Sequence, residues 1–181
     1  MPFAFTCLTI PDVVFIEPQV YPDDRGSFFE SFKASDFVKA NLPTNFVQDN
    51  FSFSKKDVIR GLHYQKDPKA QGKLVSVLRG GVWDVAVDIR RESPTFLNFV
   101  AAGLNDQNHA MLYIPPGFAH GFIALTEEVH LLYKCTNEYA PEADAGIRWN
   151  DPQIGIPWPA INPIVSAKDA ALPFLEQADI S

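Results

Sequence analysis

Two residues in this chain, a histidine and a tyrosine, have the chemistry to move protons at carbon. His63 stands in Arg60-Gly-Leu-His-Tyr-Gln65, beside an arginine and a glutamine, which is the setting of a general base. A lone histidine on a strand is more often a satisfied core residue, so His63 needs polar company to count. Lys73 opens Lys-Leu-Val-Ser-Val, where an exposed strand-end lysine is the common reading. Tyr133, in His-Leu-Leu-Tyr-Lys134, carries a phenol that can give a proton to carbon and take it back. Asp169, three residues after Ser166, is a carboxylate in a segment that reads as the first turn of a short helix.

The chain has four histidines, His63, His109, His120 and His130. In a β-barrel they first suggest a metal. Metal-binding cupins supply two closely spaced histidines, a carboxylate and a later histidine. The later half is present as Pro115-Pro-Gly-Phe-Ala-His120, but where a His-x-His pair belongs the chain reads His63-Tyr64-Gln65. Glutamine is a poor zinc or iron ligand beside imidazole. The scaffold is cupin-like and no catalytic metal is expected.

These groups must be held by strands. Fifteen phenylalanines and fifteen prolines in 181 residues favour short strands and frequent turns. Strand patterns run over 46–54, 58–65, 73–79, 82–89, 96–102, 110–114, 118–125 and 129–135, about eight core strands. Gly80-Gly81 between two of them is a hairpin signal. Helical text is confined to 35–42, capped by Ser35 and stopped by Pro43, and to a short piece beginning near Ser166. The expectation is an all-β, jelly-roll barrel with short peripheral helices, in one domain over 1–181.

Alternation also shows where a cavity could lie. Gln48, Asn50 and Ser52 share one face of their strand, with Val47, Phe51 and Phe53 on the other. Asp84 and Asp88 share a face of theirs. Polar residues on an inner face imply a lined pocket, because burying them unpaired is costly. Strict alternation separates Arg60 from His63. A bulge at Gly61 would bring both to one side.

Formal net charge is −7, with no basic stripe of the kind nucleic-acid binders carry. No apolar run reaches transmembrane length and no signal peptide opens the chain, so a cytoplasmic protein without membrane contact is expected. Cys7 and Cys135 read as two buried thiols. There is no Rossmann or P-loop signature and no cofactor is called for.

Taken together, Asp23-Asp-Arg-Gly-Ser-Phe-Phe-Glu30, Gln48-Asp-Asn50, Ile59-Arg-Gly-Leu-His-Tyr-Gln65, Ala70-Gln-Gly-Lys-Leu-Val75, Asp84-Val-Ala-Val-Asp-Ile-Arg90, Ser93-Pro-Thr, Ile114-Pro-Pro-Gly-Phe-Ala-His-Gly-Phe122, Tyr133-Lys and Tyr139-Ala-Pro-Glu closely resemble the dTDP-4-dehydrorhamnose 3,5-epimerases. Gly146-Ile-Arg-Trp-Asn-Asp151 and Lys168-Asp169 fit as well. The resemblance spans nearly the whole chain, in order. It implies a cupin-type jelly-roll homodimer acting on dTDP-4-dehydro-6-deoxy-D-glucose, a dTDP-4-keto-6-deoxy sugar, and giving dTDP-4-dehydro-L-rhamnose. By the same resemblance His63 is the base, Asp169 its paired carboxylate, Tyr133 the acid on the opposite face and Lys73 the group near the C4 oxygen. Arg25, Phe28, Glu30, Gln48, Asn50, Arg60, His120 and Tyr139 match positions that bind the nucleotide sugar. Gly81 and Trp83 depart from the family pattern, where a glutamate and a phenylalanine are common. They bear on the choice between inversion at both C3 and C5 and a single-site epimerase of a related deoxysugar.

Overall fold

Short runs that are apolar on one face, punctuated by proline and glycine, can bury that face only by pairing into sheets. A computed structural model describes residues 2–180. Its strands are β1 (Phe3–Cys7), β2 (Val14–Pro18), β3 (Tyr21–Asp23), β4 (Gly26–Phe28), β5 (Gln48–Lys55), β6 (Val58–Gln65), β7 (Lys73–Arg79), β8 (Gly81–Asp88), β9 (Phe99–Asn105), β10 (Met111–Ile114), β11 (Phe118–Ala124), β12 (Glu128–Cys135), β13 (Asp144–Gly146) and β14 (Ile164–Val165). The helices are α1 (Ala34–Lys39) and α2 (Ala167–Ala170), with a 3-10 turn at Leu175–Gln177. Among the described residues no helix is long and apolar enough to cross a membrane.

Two sheets face each other as a jelly roll. The first runs β1-β2-β10-β7-β12-β5 and the second β13-β6-β11-β8-β9, with β14 added in parallel to β6. Val75, Val77, Val129 and Leu131 of the first sheet meet Val82, Ala86, Phe118 and Phe122 of the second in the inner core. Ile147, Ile154, Trp158 and Leu175 cover the outside of the second sheet. α1 covers part of the outside of the first, where Phe37 packs with Phe3, Ile16 and Leu74. Beyond α1 the first sheet's outer face stays bare: Phe51, Phe53 and Leu78 are exposed, and His130 lies edge-on to both phenylalanines.

All eight expected core strands are present. β9 starts at Phe99, three residues later than the pattern suggested, because Ser93, Thr95 and Arg90 fold back onto Asp88 and shape the preceding turn. The terminal strands β1 and β2 and the β3–β4 hairpin fell outside the expected set. Gly80-Gly81 is not a hairpin. β7 and β8 lie in different sheets, and Gly80, at φ 80°, turns the chain from one to the other. A Cβ there would sit 2.1 Å from the Glu128 carbonyl oxygen, so only glycine fits. α1 starts at Ala34 and Lys33 occupies its N-cap without a side-chain bond, so Ser35 lies inside the helix and does not cap it. Cys7 is exposed and only Cys135 is buried; both thiols are free.

Candidate active site

β5 turns its polar face inward. Gln48, Asn50 and Ser52 point between the sheets while Val47, Phe51 and Phe53 point out, the reverse of an ordinary core strand. The second sheet answers with a bulge in β6. His63 pairs with His120 and Arg60 with Phe122, and the register slips between the two pairs. Gly61 makes that slip at φ 134°, where a Cβ would lie 2.6 Å from Gly121 Cα. The extra residue sets Arg60 and His63 on the same cavity, as both line it.

That cavity, of about 290 Å³, is lined by Asn50, Phe51, Ser52, Arg60, His63, Lys73, His120, Phe122 and Tyr133. His63, Arg60 and His120 come from the second sheet; Asn50, Lys73 and Tyr133 come from the first. An imidazole and a phenol therefore approach the same space from opposite walls.

Asp169 stands behind His63, its Oδ1 2.9 Å from Nε2. A carboxylate only accepts, so Nε2 carries the proton and Nδ1 is left with a lone pair for a substrate hydrogen. Ser166 caps α2 by accepting from the Asp169 N–H, and the Asp169 side chain is thereby free to accept from the Gly61 N–H at 3.2 Å. Burial opposes ionisation of Asp169, but the bond to His63, the His63 charge, the Gly61 N–H and Ser166 outweigh it and hold the carboxyl below its usual range.

Lys73 is buried, and burial pulls its ammonium below the ordinary lysine value, with Cys135, Asp84 and Asp144 opposing the shift. Its Nζ donates to the His63 carbonyl at 3.4 Å and lies 5.9 Å from the centre of the Tyr133 ring. Burial pushes the Tyr133 phenol up, so at neutral pH it holds its proton. His120 places Nε2 3.0 Å from each oxygen of the fully buried Asp84, and burial lowers its basicity, which keeps it neutral. Arg60 donates from Nε to Ser54 Oγ at 3.0 Å and from Nη2 to the Phe53 carbonyl at 2.9 Å, so its fork is fixed at the rim. Base, far-side acid and a buried cation around one small cavity fit enolisation next to a ketone.

Residues 7–177 match the family model described as dTDP-4-dehydrorhamnose 3,5-epimerase. The chain belongs to this family. It is 53% identical over 171 residues to the dTDP-4-dehydrorhamnose 3,5-epimerase of Salmonella typhimurium, covering 93% of each chain. The crystal structure of a dTDP-6-deoxy-D-glucose-3,5-epimerase from Legionella pneumophila, in complex with dTDP-4-keto-L-rhamnose, superposes with a TM-score of 0.94 at 46% identity, over 98% of this chain and 95% of that one. A 3'-monoepimerase from Streptomyces bikiniensis, in complex with dTDP-quinovose, superposes at 0.88 with 32% identity, over 93% of this chain and 86% of that one.

In this epimerase-family chain the cavity gathers His63, Lys73, Tyr133, Asn50, Arg60 and His120, with Asp169 behind His63. Gln48 stands beside it, donating to Asn50 Oδ1 at 2.9 Å and accepting the Tyr139 N–H at 2.7 Å. Tyr139 itself is exposed and lines a neighbouring cleft with Val47 and Asn137, its hydroxyl 3.2 Å from Asp144 Oδ2. Arg25, Phe28 and Glu30 are not brought to the cavity. Arg25 is spread on the β3–β4 hairpin against Asp23 at 2.6 Å, while Phe28 and Glu30 line a separate cleft with Lys33 and Asp36. Gly81 and Trp83 also stay off the cavity; Trp83 faces outward, 5.6 Å from Trp158 in an edge-on contact. Sequence reasoning singled out neither Ser52 nor Phe122 as a site residue, and it left Asp84 without a partner. The even-numbered alternation of β5 and β11 was the available signal.

Proposed function

We propose that this chain inverts C3 and C5 of dTDP-4-dehydro-6-deoxy-D-glucose to give dTDP-4-dehydro-L-rhamnose. The observation that carries the reading is the placing of His63 and Tyr133 on opposite walls of one cavity with buried Lys73 beside them. His63 Nδ1 takes the hydrogen from the carbon next to C4. The C–H electron pair becomes the new C=C bond and the carbonyl pair moves onto O4, where Lys73 meets it. The enolate then collapses and takes the Tyr133 hydroxyl proton on the other face. The centre is inverted, His63 has gained a proton and Tyr133 has lost one. Exchange with water resets both. Because both carbons flank one carbonyl, Lys73 serves either enolate. Arg60 and Gln48 hold the diphosphate side and Tyr139 offers a ring to the thymine. Inversion at two centres is favoured over one by the higher identity to the double epimerases than to the monoepimerase.

We further infer that the whole chain works as one metal-independent, cytoplasmic jelly-roll unit and pairs as a homodimer. The free thiols Cys7 and Cys135 suit a reducing compartment. A second copy would cover the bare Phe51, Phe53 and Leu78 face, and would let Arg25, Phe28 and Glu30 serve a neighbour's cavity when they do not reach their own. The test of the activity is incubation with the 4-keto sugar nucleotide in heavy water. Deuterium at C3 and at C5 in an L-configured product is expected. Label at one carbon after long incubation would replace this reading with a single-site epimerase.

A further inference from the structure

Arg60 is an exposed residue, yet its guanidinium is held in place. Nε donates to Ser54 Oγ at 3.0 Å and Nη2 to the Phe53 carbonyl at 2.9 Å, both on β5. These bonds leave from one side of the planar group, the edge that Nε and Nη2 share. The end edge, made of Nη1 and the second hydrogen of Nη2, has no partner among the described residues. A two-pronged donor is therefore left over at a residue that lines the cavity.

The two acceptors differ in what the sequence had to supply. Phe53 offers a main-chain carbonyl on the last strand of its sheet, where a free edge leaves such groups unpaired whatever the side chain. Ser54 offers its own hydroxyl. It is 2% exposed and lies opposite Val129, a fully buried hydrocarbon, where alanine would fit as well. A buried hydroxyl calls for a partner, and this one has Arg60. The arginine reaches it because the bulge at Gly61 re-aims residue 60, and the Gly61 N–H is itself bonded to Asp169 at 3.2 Å. The bulge is thus tied to the carboxylate behind the base and, through the guanidinium, to Ser54.

We propose that Ser54 is a positioning residue for the substrate's diphosphate. By occupying the side edge of Arg60 it presents the end edge, Nη1 with Nη2, to two phosphate oxygens. A guanidinium fixed before the ligand arrives has less freedom left to lose, so Ser54 contributes affinity without touching the ligand. The inference rests on the reading of Arg60 as the diphosphate's partner.

The test measures dTDP binding by calorimetry in wild type, Ser54→Ala, Arg60→Ala and the double variant, with steady-state turnover of the 4-keto sugar nucleotide alongside. Ser54→Ala should weaken dTDP about 3- to 10-fold, the scale of one lost hydrogen bond, and raise KM by a similar factor while kcat holds. In the Arg60→Ala background the same substitution should cost nothing further, because the group it positions is gone. Ser54→Cys, nearly isosteric and a poorer acceptor, should show the same pattern with the packing kept. Unchanged dTDP binding in the Ser54 variants, or an equal loss in both backgrounds, would overturn the assignment. Arg60→Ala binding dTDP as tightly as wild type would remove Arg60 from the diphosphate and the proposal with it. A wild type that binds dTDP but takes no deuterium into the sugar would instead overturn the epimerase reading, with the binding cycle still deciding on Ser54.

Discussion

Asp169 Oδ1 lies 2.9 Å from His63 Nε2 across 106 residues of sequence, joining a capped turn of α2 to a bulged strand of the second sheet. The contact fixes which imidazole nitrogen is basic and gives the imidazolium a counter-charge when it forms. It also ties the C-terminal segment to the barrel.

Asp169→Asn should keep the fold but leave His63 poorly oriented and unsupported when charged, with a loss of about 10- to 100-fold in proton exchange. Removal of the base itself, His63→Ala, should cost on the order of 100- to 10,000-fold while nucleotide binding persists. The pairing also predicts a stability trend. Asp169 titrates lower folded than unfolded, where 3.8 is ordinary, so its contribution is present above that value and is lost as pH falls through the folded one. Acid unfolding of Asp169→Asn should lack this component. Matching acid transitions in the two proteins would show that the pair adds nothing.

Lys73 sets the alkaline limit. Burial lowers its pKa from 10.5, while burial raises that of Tyr133 from 10.0. As pH rises, loss of the Lys73 proton removes the enolate's cation, and burial brings that loss below the usual lysine value. Activity should decline on a limb below the usual lysine value, and Lys73→Arg, where it retains turnover, should move that limb upward. A limb unmoved by Lys73→Arg, but moved by a fluorinated tyrosine at position 133, would transfer the limit to Tyr133.

Turnover should survive exhaustive chelation. His63 and His120 each spend Nε2 on a carboxylate, Asp169 and Asp84, and Gln65 stands where a second ligand histidine would be needed. Gln65 is itself used up, donating to the Lys69 carbonyl and accepting from the Ala140 N–H. Activity lost to chelator and restored by a divalent ion would contradict this.

The hairpin carrying Arg25 gives a complementation test. If a homodimer places it over the neighbour's cavity, Arg25→Ala and His63→Ala are defective in different halves of one site. Mixed and reassembled, the two inactive proteins should recover activity, because some mixed dimers hold one intact site. Light scattering should report a dimer at micromolar concentration. A monomer, or no recovery on mixing, would place Arg25 outside the site.

How legible was all this in the sequence? The eight core strands were legible as short apolar runs between turn residues; β5 alternates cleanly, whereas β8, β10 and β11 are buried along almost their whole length. The bulge could be anticipated at Gly61, since Arg60 and His63 have the wrong parity for one face without it. The β3–β4 hairpin could not, because its residues are exposed and leave no pattern. Gly80-Gly81 misled because a sheet-to-sheet corner and a hairpin ask for the same backbone. Asp84 looked like one of two polar residues on a strand; only the sheet pairing of Ala86 with His120 shows which of them meets the imidazole. Ser35 failed as a cap because Lys33 begins the turn two residues earlier.

Tyr133 decides whether exchange becomes inversion. It stands on β12 opposite Asn50, with its ring 5.9 Å from Lys73 Nζ and on the wall facing His63. His63 can remove a proton and return it to the same face, which exchanges label and leaves configuration unchanged. Only a donor on the other wall converts the enolate to the opposite centre. Tyr133→Phe keeps the ring and its packing but removes the proton, so it should still wash deuterium into the starting sugar. L-configured product should fall by about 100-fold or more, the loss of a general acid. The two readouts must separate. A variant that loses exchange and inversion together would make Tyr133 a binding group, and a variant that keeps both would require another acid on that wall. Lys73 and Ser52 also line that wall, so a variant that keeps both would turn the search for the acid to them.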